Sequence, residues 1–298
     1  MIKIWIPPIE QFNIQTNKGE LNHILKDGVM LNPKTELVDS FEECDFVFAD
    51  FRHLTGNPKG YQGNVSDWSG DKLIIIDYSD RPELFNVDCL YYFKRNCVWK
   101  GEGKFRSYPR EYRPISYCIK NDWLDYDVNF YEERDIDISV FFRRESERNK
   151  VGMIRREMVA EFVESNFSHK NIHVGIVNSD GEAGRMSAGE EYVRKMLRSK
   201  IVVNCNPDLW EGDYRLFETL SCGAMVIVDR MITPAINPFE DRKHLVYYDY
   251  LEHLGNEIEY YLENDEERKM IANNGYTYAL EYHKTSDRID EILEVIGR

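Results

Sequence analysis

The sequence predicts an α/β protein of two domains, each a parallel β-sheet with helices on its faces. Three observations point there. Short apolar runs alternate with stretches of helical periodicity, most regularly in the second half of the chain, the pattern of successive β-α units. Several of those runs are apolar without alternation, among them "IVV" in "IVVNC" (201–205) and "AMVIV" (224–228), as strands covered on both faces are. The length of 298 residues exceeds one typical domain and suits two.

In chain order, the first half offers strands at "IKIWI" (2–6), "DFVFADF" (45–51), "KLIIIDYSD" (72–80) and "CLYYFKR" (89–95), with a weak helical pattern around 18–27. Gly, Asn, Pro and Ser cluster at 55–70 and read as a surface loop. Residues 99–117 are aromatic, basic and broken by proline, and no element is expected there. The acidic, strandless "NDWLDYDVNFYEERD" near 120–134 marks the boundary, which we set between 125 and 126. Beyond it come a strand at 135–144, a helix at 149–165, a strand at 171–177, a helix at 189–200 and the strand 201–205. A short helix at 214–222, strands at 224–228 and 244–248, and two or three helices over 250–298 complete the second domain. No internal repeat or low-complexity segment interrupts this order.

Composition narrows the function. A net charge of −15 argues against an extended nucleic-acid surface, which needs clustered cations to neutralise phosphates. It leaves room for one small phosphorylated ligand, which a few local donors suffice to hold. No apolar stretch approaches the roughly 18–20 residues of a membrane span. "MIKIWIPPIEQF" lacks the long apolar centre of a signal peptide. The six cysteines show no C-x-x-C spacing, which favours reduced thiols. A cytoplasmic protein is the expectation. The dispersed histidines form no metal constellation, and neither a metal nor a cofactor is expected.

The stretch "WEGDYRLFETLSCGAMVIVD" (210–229) carries the functional reading. Open α/β sheets bind ligands at the carboxyl ends of their strands. The strand 201–205 ends at Asn206, and a helix starting near Tyr214 aims its unpaired N–H groups and positive dipole end at that edge. Arg215 in the first turn opposes the dipole unless an anion such as a diphosphate lies beside it, which its forked donors would grip. Glu218, one turn on, shares a face with Tyr214 and Arg215 and suits ribose hydroxyls as an acceptor. Gly223 closes the helix. The plain alternative is an Arg215–Glu218 ion pair on a surface helix.

"YRLFETLSCGAMVIVD" resembles the donor-site signature of GT-B glycosyltransferases. The resemblance extends to "YVRKMLRSKIVVNCNPDLWEGD" (192–213), "HLVYYDYLEHLGNEIEYYLENDEERKMIANNG" (244–275) and "YHKTSDRIDEIL" (282–293). It covers residues 135–298 well and the first half faintly, and it is closest to the exostosin-like and group-1-like transferases. It implies two Rossmann-like domains facing across a cleft. Residues 1–125 would serve the acceptor, and residues 126–298 would bind a nucleotide sugar and end in helices. Glu218 would take the ribose. Arg215, with Asp213, Tyr214 and Leu216 around it, would take the diphosphate beside Asn206. Arg143 and Arg144 would reach the phosphates, unless they are simply solvated beside Glu145 and Glu147. The donor would be UDP-linked, the acceptor a glycan hydroxyl, and the transfer metal-independent. Many retaining relatives carry a second glutamate eight residues before the ribose glutamate. Here that position is Trp210, which favours inversion.

An inverting transfer needs a base for the acceptor hydroxyl, and the resemblance places it in the first domain. Asp77, after four apolar residues, leads the candidates, with Asp50 and Asp80 behind it and His53 a further choice. Asp77 also suits a turn or helix cap. Arg52, Lys94 and Arg95 would contact acceptor or phosphate, or else be solvated charges at a strand end. A different class remains open: a nucleotide- or sugar-binding module without turnover. A dinucleotide epimerase is disfavoured, because "PPIEQFN" rather than G-x-G-x-x-G follows the first strand.

Overall fold

A computed structural model describes residues 1–7, 23–50, 68, 70–78, 87–95, 112–124, 126–130, 132–143, 154–177, 190–206, 212–231 and 235–297. The chain divides into two compact units. The first comprises Met1–Asn121, Ile232–Ile236 and His283–Arg298, and the second Asp122–Met231 and Asn237–Tyr282.

The first unit holds six parallel strands: β1 (Ile2–Trp5), β2 (Thr35–Leu37), β3 (Phe46–Asp50), β4 (Leu73–Asp77), β5 (Tyr91–Lys94) and β6 (Tyr112–Pro114). A π turn at His23–Asp27 runs into the short helix α1 (Gly28–Leu31). The sheet order is β2-β1-β3-β4-β5-β6. The central strand β4, "LIIID", is buried along its whole length, which its β-branched run favours. Val47, Ala49, Leu73, Ile75 and Tyr92 pack with Trp68 in one core on this sheet.

The second unit holds β7 (Ile136–Arg143), α2 (Arg156–Asn166), β8 (Ile172–Val177), α3 (Glu190–Arg198), β9 (Ser199–Asn204), α4 (Tyr214–Ser221), β10 (Met225–Asp229), β11 (Val246–Tyr248), α5 (Leu251–Glu263) and α6 (Asp265–Tyr282). Its parallel sheet runs β11-β10-β9-β7-β8. Apolar residues of β7, β9 and β10 meet α2, α5 and α6 in a single core. Gly223 ends α4 at φ +64°, with Val128 and Phe130 so close that a Cβ would lie 2.5 Å from Val128 Cγ1. Both demands select glycine.

The last helix, α7 (Thr285–Val295), differs from the sequence expectation. The pattern assigns all of 126–298 to the second domain, but α7 packs on α1 in the first unit. The Arg288 side chain is fully buried and its Nε donates to the carbonyls of Ser116 (3.2 Å) and Tyr117 (3.1 Å). It also meets Glu291 and His283. Asn32 Nδ2 donates to Ser286 O at 3.1 Å, and Ile119 N donates to His283 O at 2.7 Å.

Strands β2 and β6 are additions to the expected list, each three residues long and too short to show a period. The loop expected at 55–70 lies almost entirely outside the described residues. Cys44, Cys89, Cys118, Cys205 and Cys222 form no disulfide. Among the described residues no helix is long and apolar enough to cross a membrane.

Candidate functional site

The strand order of the second sheet marks one edge as the place to look for a ligand. The order in which strands are added switches sides between β7 and β9, because β8 lies outside β7 while β10 and β11 continue beyond β9. Ligands of open parallel sheets bind at such a switch, beyond the carboxyl ends of the strands. Three features gather along that edge: the end of β7 at Arg143, the end of β9 leading to Asn206, and the end of β10 at Asp229. The N-terminus of α4 follows β9.

Asp213 caps α4. Its Oδ1 accepts the Arg215 backbone N–H at 2.9 Å, and its Oδ2 accepts Arg156 Nη2 at 2.7 Å. The Arg215 guanidinium also bonds Oδ2. The carboxylate is thus held by two cations and a backbone donor. The dipole conflict at Arg215 is therefore relieved inside the chain by Asp213. Arg156 opens α2, is buried, and donates Nε to Cys205 O at 2.8 Å. Burial first, and then the nearby Arg215 charge, pull its guanidinium below the ordinary value, while Asp213 opposes the shift.

Asp229 completes the edge. Its Oδ1 accepts the Asn206 backbone N–H at 2.6 Å. The residue keeps some surface, yet its carboxyl is sunk among protein atoms. That burial, opposed by the Asn206 bond and by Arg156, pushes its pKa up to about 7. Neither Arg156 nor Asp229 stands out in the motif, although "VIVD" repeats the strand-ending aspartate of "IIID".

Glu218 is buried within α4, a helix whose residues except Arg215 are all buried. It makes no ion pair with Arg215. Its Oε2 accepts the Tyr192 hydroxyl of α3 at 2.7 Å. Tyr214 and Leu216 are buried, and Leu216 N donates back to Asp213 O at 3.1 Å. The backbone of Arg143 ends β7, while its side chain and Arg144 lie outside the described residues.

The base candidates of the first unit fare differently. Asp77 is fully buried. Its Oδ2 accepts the Tyr92 hydroxyl at 2.6 Å and its Oδ1 lies 3.2 Å from Lys94 Nζ. Lys94 and Arg95 are buried rather than solvated. Arg95 Nε donates to Tyr78 O at 3.2 Å, and its guanidinium lies over the Tyr117 ring at 4.2 Å. Asp50 ends β3, with its side chain outside the described residues, as are Arg52, His53 and Asp80. Among the described residues no three His, Cys, Asp or Glu side chains gather as metal ligands.

Residues 155–294 match the sequence model of a family described as glycosyl transferase-like. No curated protein matches the chain by sequence. The fold is similar to that of a glycosyltransferase from Rickettsia africae, at 9% identity and a TM-score of 0.56 over 100% of this chain and 99% of that one. It is similar to an alpha-glucosyltransferase solved with UDP-glucose and DNA containing an abasic site, at 10% identity and a TM-score of 0.54 over 100% and 99% of the two chains. It is also similar to HepE of Anabaena in complex with UDP-glucose, at 12% identity and a TM-score of 0.53 over 99% of each chain.

Proposed function

We propose a function for a chain that has the GT-B glycosyltransferase fold and carries glycosyl transferase-like sequence over residues 155–294: it moves a sugar from a UDP-linked donor to a hydroxyl of a glycan acceptor, with inversion. The observation that carries this reading is the edge of the second sheet at α4. A capped helix N-terminus, Arg215 and the buried carboxylate of Glu218 stand together there, beside the switch between β7 and β9. A diphosphate suits the helix end and Arg215, and a ribose hydroxyl suits Glu218. Arg143, the last residue of β7, and Arg144, next in the sequence, belong to the same phosphate site in this reading. UDP is favoured by the UDP-glucose complexes of two structures of the same fold. Inversion is favoured by Trp210 in place of a second glutamate.

For the base we put Asp50 before Asp80. In the first sheet the order of strand addition switches sides between β1 and β3, and Asp50 is the last residue of β3. Asp77 falls behind both, since its carboxylate is covered and bonded to Lys94 and Tyr92. That same covering favours the second reading, a nucleotide-sugar-binding module without turnover.

The test is calorimetric binding of UDP, GDP and their sugar conjugates to the parent and to Glu218→Ala, followed by donor hydrolysis and transfer assays. Selective binding lost in the variant supports the donor site. Binding of none of these nucleotides overturns it. Binding without turnover, with Asp50→Ala leaving binding untouched, selects the module.

A further inference from the structure

We propose that Tyr192 is a positioning residue for the donor ribose, acting through Glu218. The inference rests on the reading of Glu218 given above and extends it to a residue of another helix.

Glu218 alone is a poorly defined acceptor. A glutamate on a helix has several rotatable bonds, and ordering it costs side-chain entropy. The Tyr192 hydroxyl removes that freedom by donating to Oε2 at 2.7 Å. Among the described residues Oε1 takes no hydrogen bond, so one oxygen is fixed and the other is left to a ligand. A hydrogen bond to a carboxylate is among the stronger side-chain bonds, and here it joins a half-buried tyrosine to a buried glutamate.

Tyr192 is itself held. Its ring meets Phe141 of β7 edge-on, centroids 5.0 Å apart and planes at 74°. On another side it meets Trp123 at 6.0 Å and 88°. Phe141 and Trp123 are buried. The carboxylate's orientation is therefore set by α3, β7 and the segment before β7, none of which is adjacent to Glu218 in sequence. Preorganisation of this kind raises affinity by prepaying the ordering of the acceptor.

The phenol is the only part of Tyr192 the role needs. Tyr192→Phe removes one oxygen and keeps both ring contacts. Calorimetry with UDP, 2′-deoxy-UDP and 3′-deoxy-UDP on the parent, Tyr192→Phe, Glu218→Ala and the double variant tests the idea. We expect Tyr192→Phe to weaken UDP about tenfold. The loss should vanish for the deoxy analogue that lacks the hydroxyl Glu218 holds. It should also vanish in the Glu218→Ala background, as coupled residues require. Equal losses for all three nucleotides, or losses that add in the double variant, overturn the proposal, because Tyr192 then acts on the fold or on the ligand directly. If Glu218→Ala weakens UDP and Tyr192→Phe does not, Glu218 works unaided and the proposal alone fails. If Glu218→Ala binds UDP as the parent does, the ribose reading fails and takes the proposal with it.

Discussion

Arg156 Nη2 lies 2.7 Å from Asp213 Oδ2, and both side chains are nearly covered. The pair joins the first residue of α2 to the cap of α4, so two helix starts share one carboxylate. Removing one partner of a buried ion pair leaves the other charge uncompensated. Arg156→Met should lower unfolding free energy by about 3 kcal/mol, near the lower end of such losses because Arg215 still reaches Asp213. Urea unfolding of the two proteins measures it. A loss within experimental error would show that Arg215 alone suffices.

In the proposed function Arg215, already paired with Asp213, serves the ligand more than the fold. The diphosphate reading predicts that Arg215→Ala weakens UDP by about 10- to 100-fold, the range of a charge-assisted pair, and weakens uridine hardly at all. Calorimetry with UDP, UMP and uridine gives the gradient. A uniform loss across the three would place Arg215 away from the phosphates.

Asp229 predicts a pH dependence. Burial raises its folded pKa from the ordinary 3.8 to about 7. Across that interval the folded carboxyl keeps a proton that the unfolded chain has released. The stability contributed by this group is present at low pH and falls as pH rises through that window. Asp229→Asn removes the titration and keeps a side-chain oxygen for the Asn206 N–H. The variant should gain on the parent between pH 5 and pH 8, read from denaturation midpoints. A constant difference across those pH values would mean that Asp229 ionises normally.

Gly275 sits inside α6 where a Cβ would lie 2.2 Å from the carbonyl oxygen of His244. Backbone cannot yield as a flexible side chain does. Gly275→Ala should destabilise the second unit by about 1–3 kcal/mol, despite alanine's better helix propensity. Thermal unfolding decides the sign, and a stabilised variant would mean that α6 shifts freely.

In the first unit, Arg288→Met should release α7 from residues 116–117 and cost about 3 kcal/mol or more, since Glu291 is left buried beside it. Hydrogen exchange should quicken at α7 and at Ile119, whose N–H bonds His283 O. Unchanged protection would show that apolar contacts alone hold the helix.

Much of this architecture is legible in the sequence where the physics is local. Continuous apolar runs mark β4, β9 and β10, and Gly223 marks the end of α4. The short strands β2 and β6 carry no period of their own and exist through their neighbours. Site chemistry divides in the same way. Arg215 and Glu218 are visible because they share one turn of one helix. Arg156, Tyr192 and Asp229 enter through contacts across 57, 26 and 23 positions, which no pattern of spacing encodes. Asp77 reads in the sequence as a strand-end base or cap and Lys94 as a ligand contact or solvated charge, yet the two pair across neighbouring strands and are buried.

The placement of α7 has a bearing on how the molecule is made. The second unit is an insertion in the first: the chain leaves at Asn121, and its last return is at His283. On a ribosome, all residues of the second unit are synthesised before α7, so that unit is free to condense first. The first unit, although its six strands are translated earliest, lacks its Arg288 contacts until the last segment is made. Its β4 and β5 emerge with Asp77 and Lys94 already able to pair, while the Arg288 side chain that bonds the Ser116 and Tyr117 carbonyls comes about 170 residues later. Order of translation and order of completion are therefore reversed between the two halves.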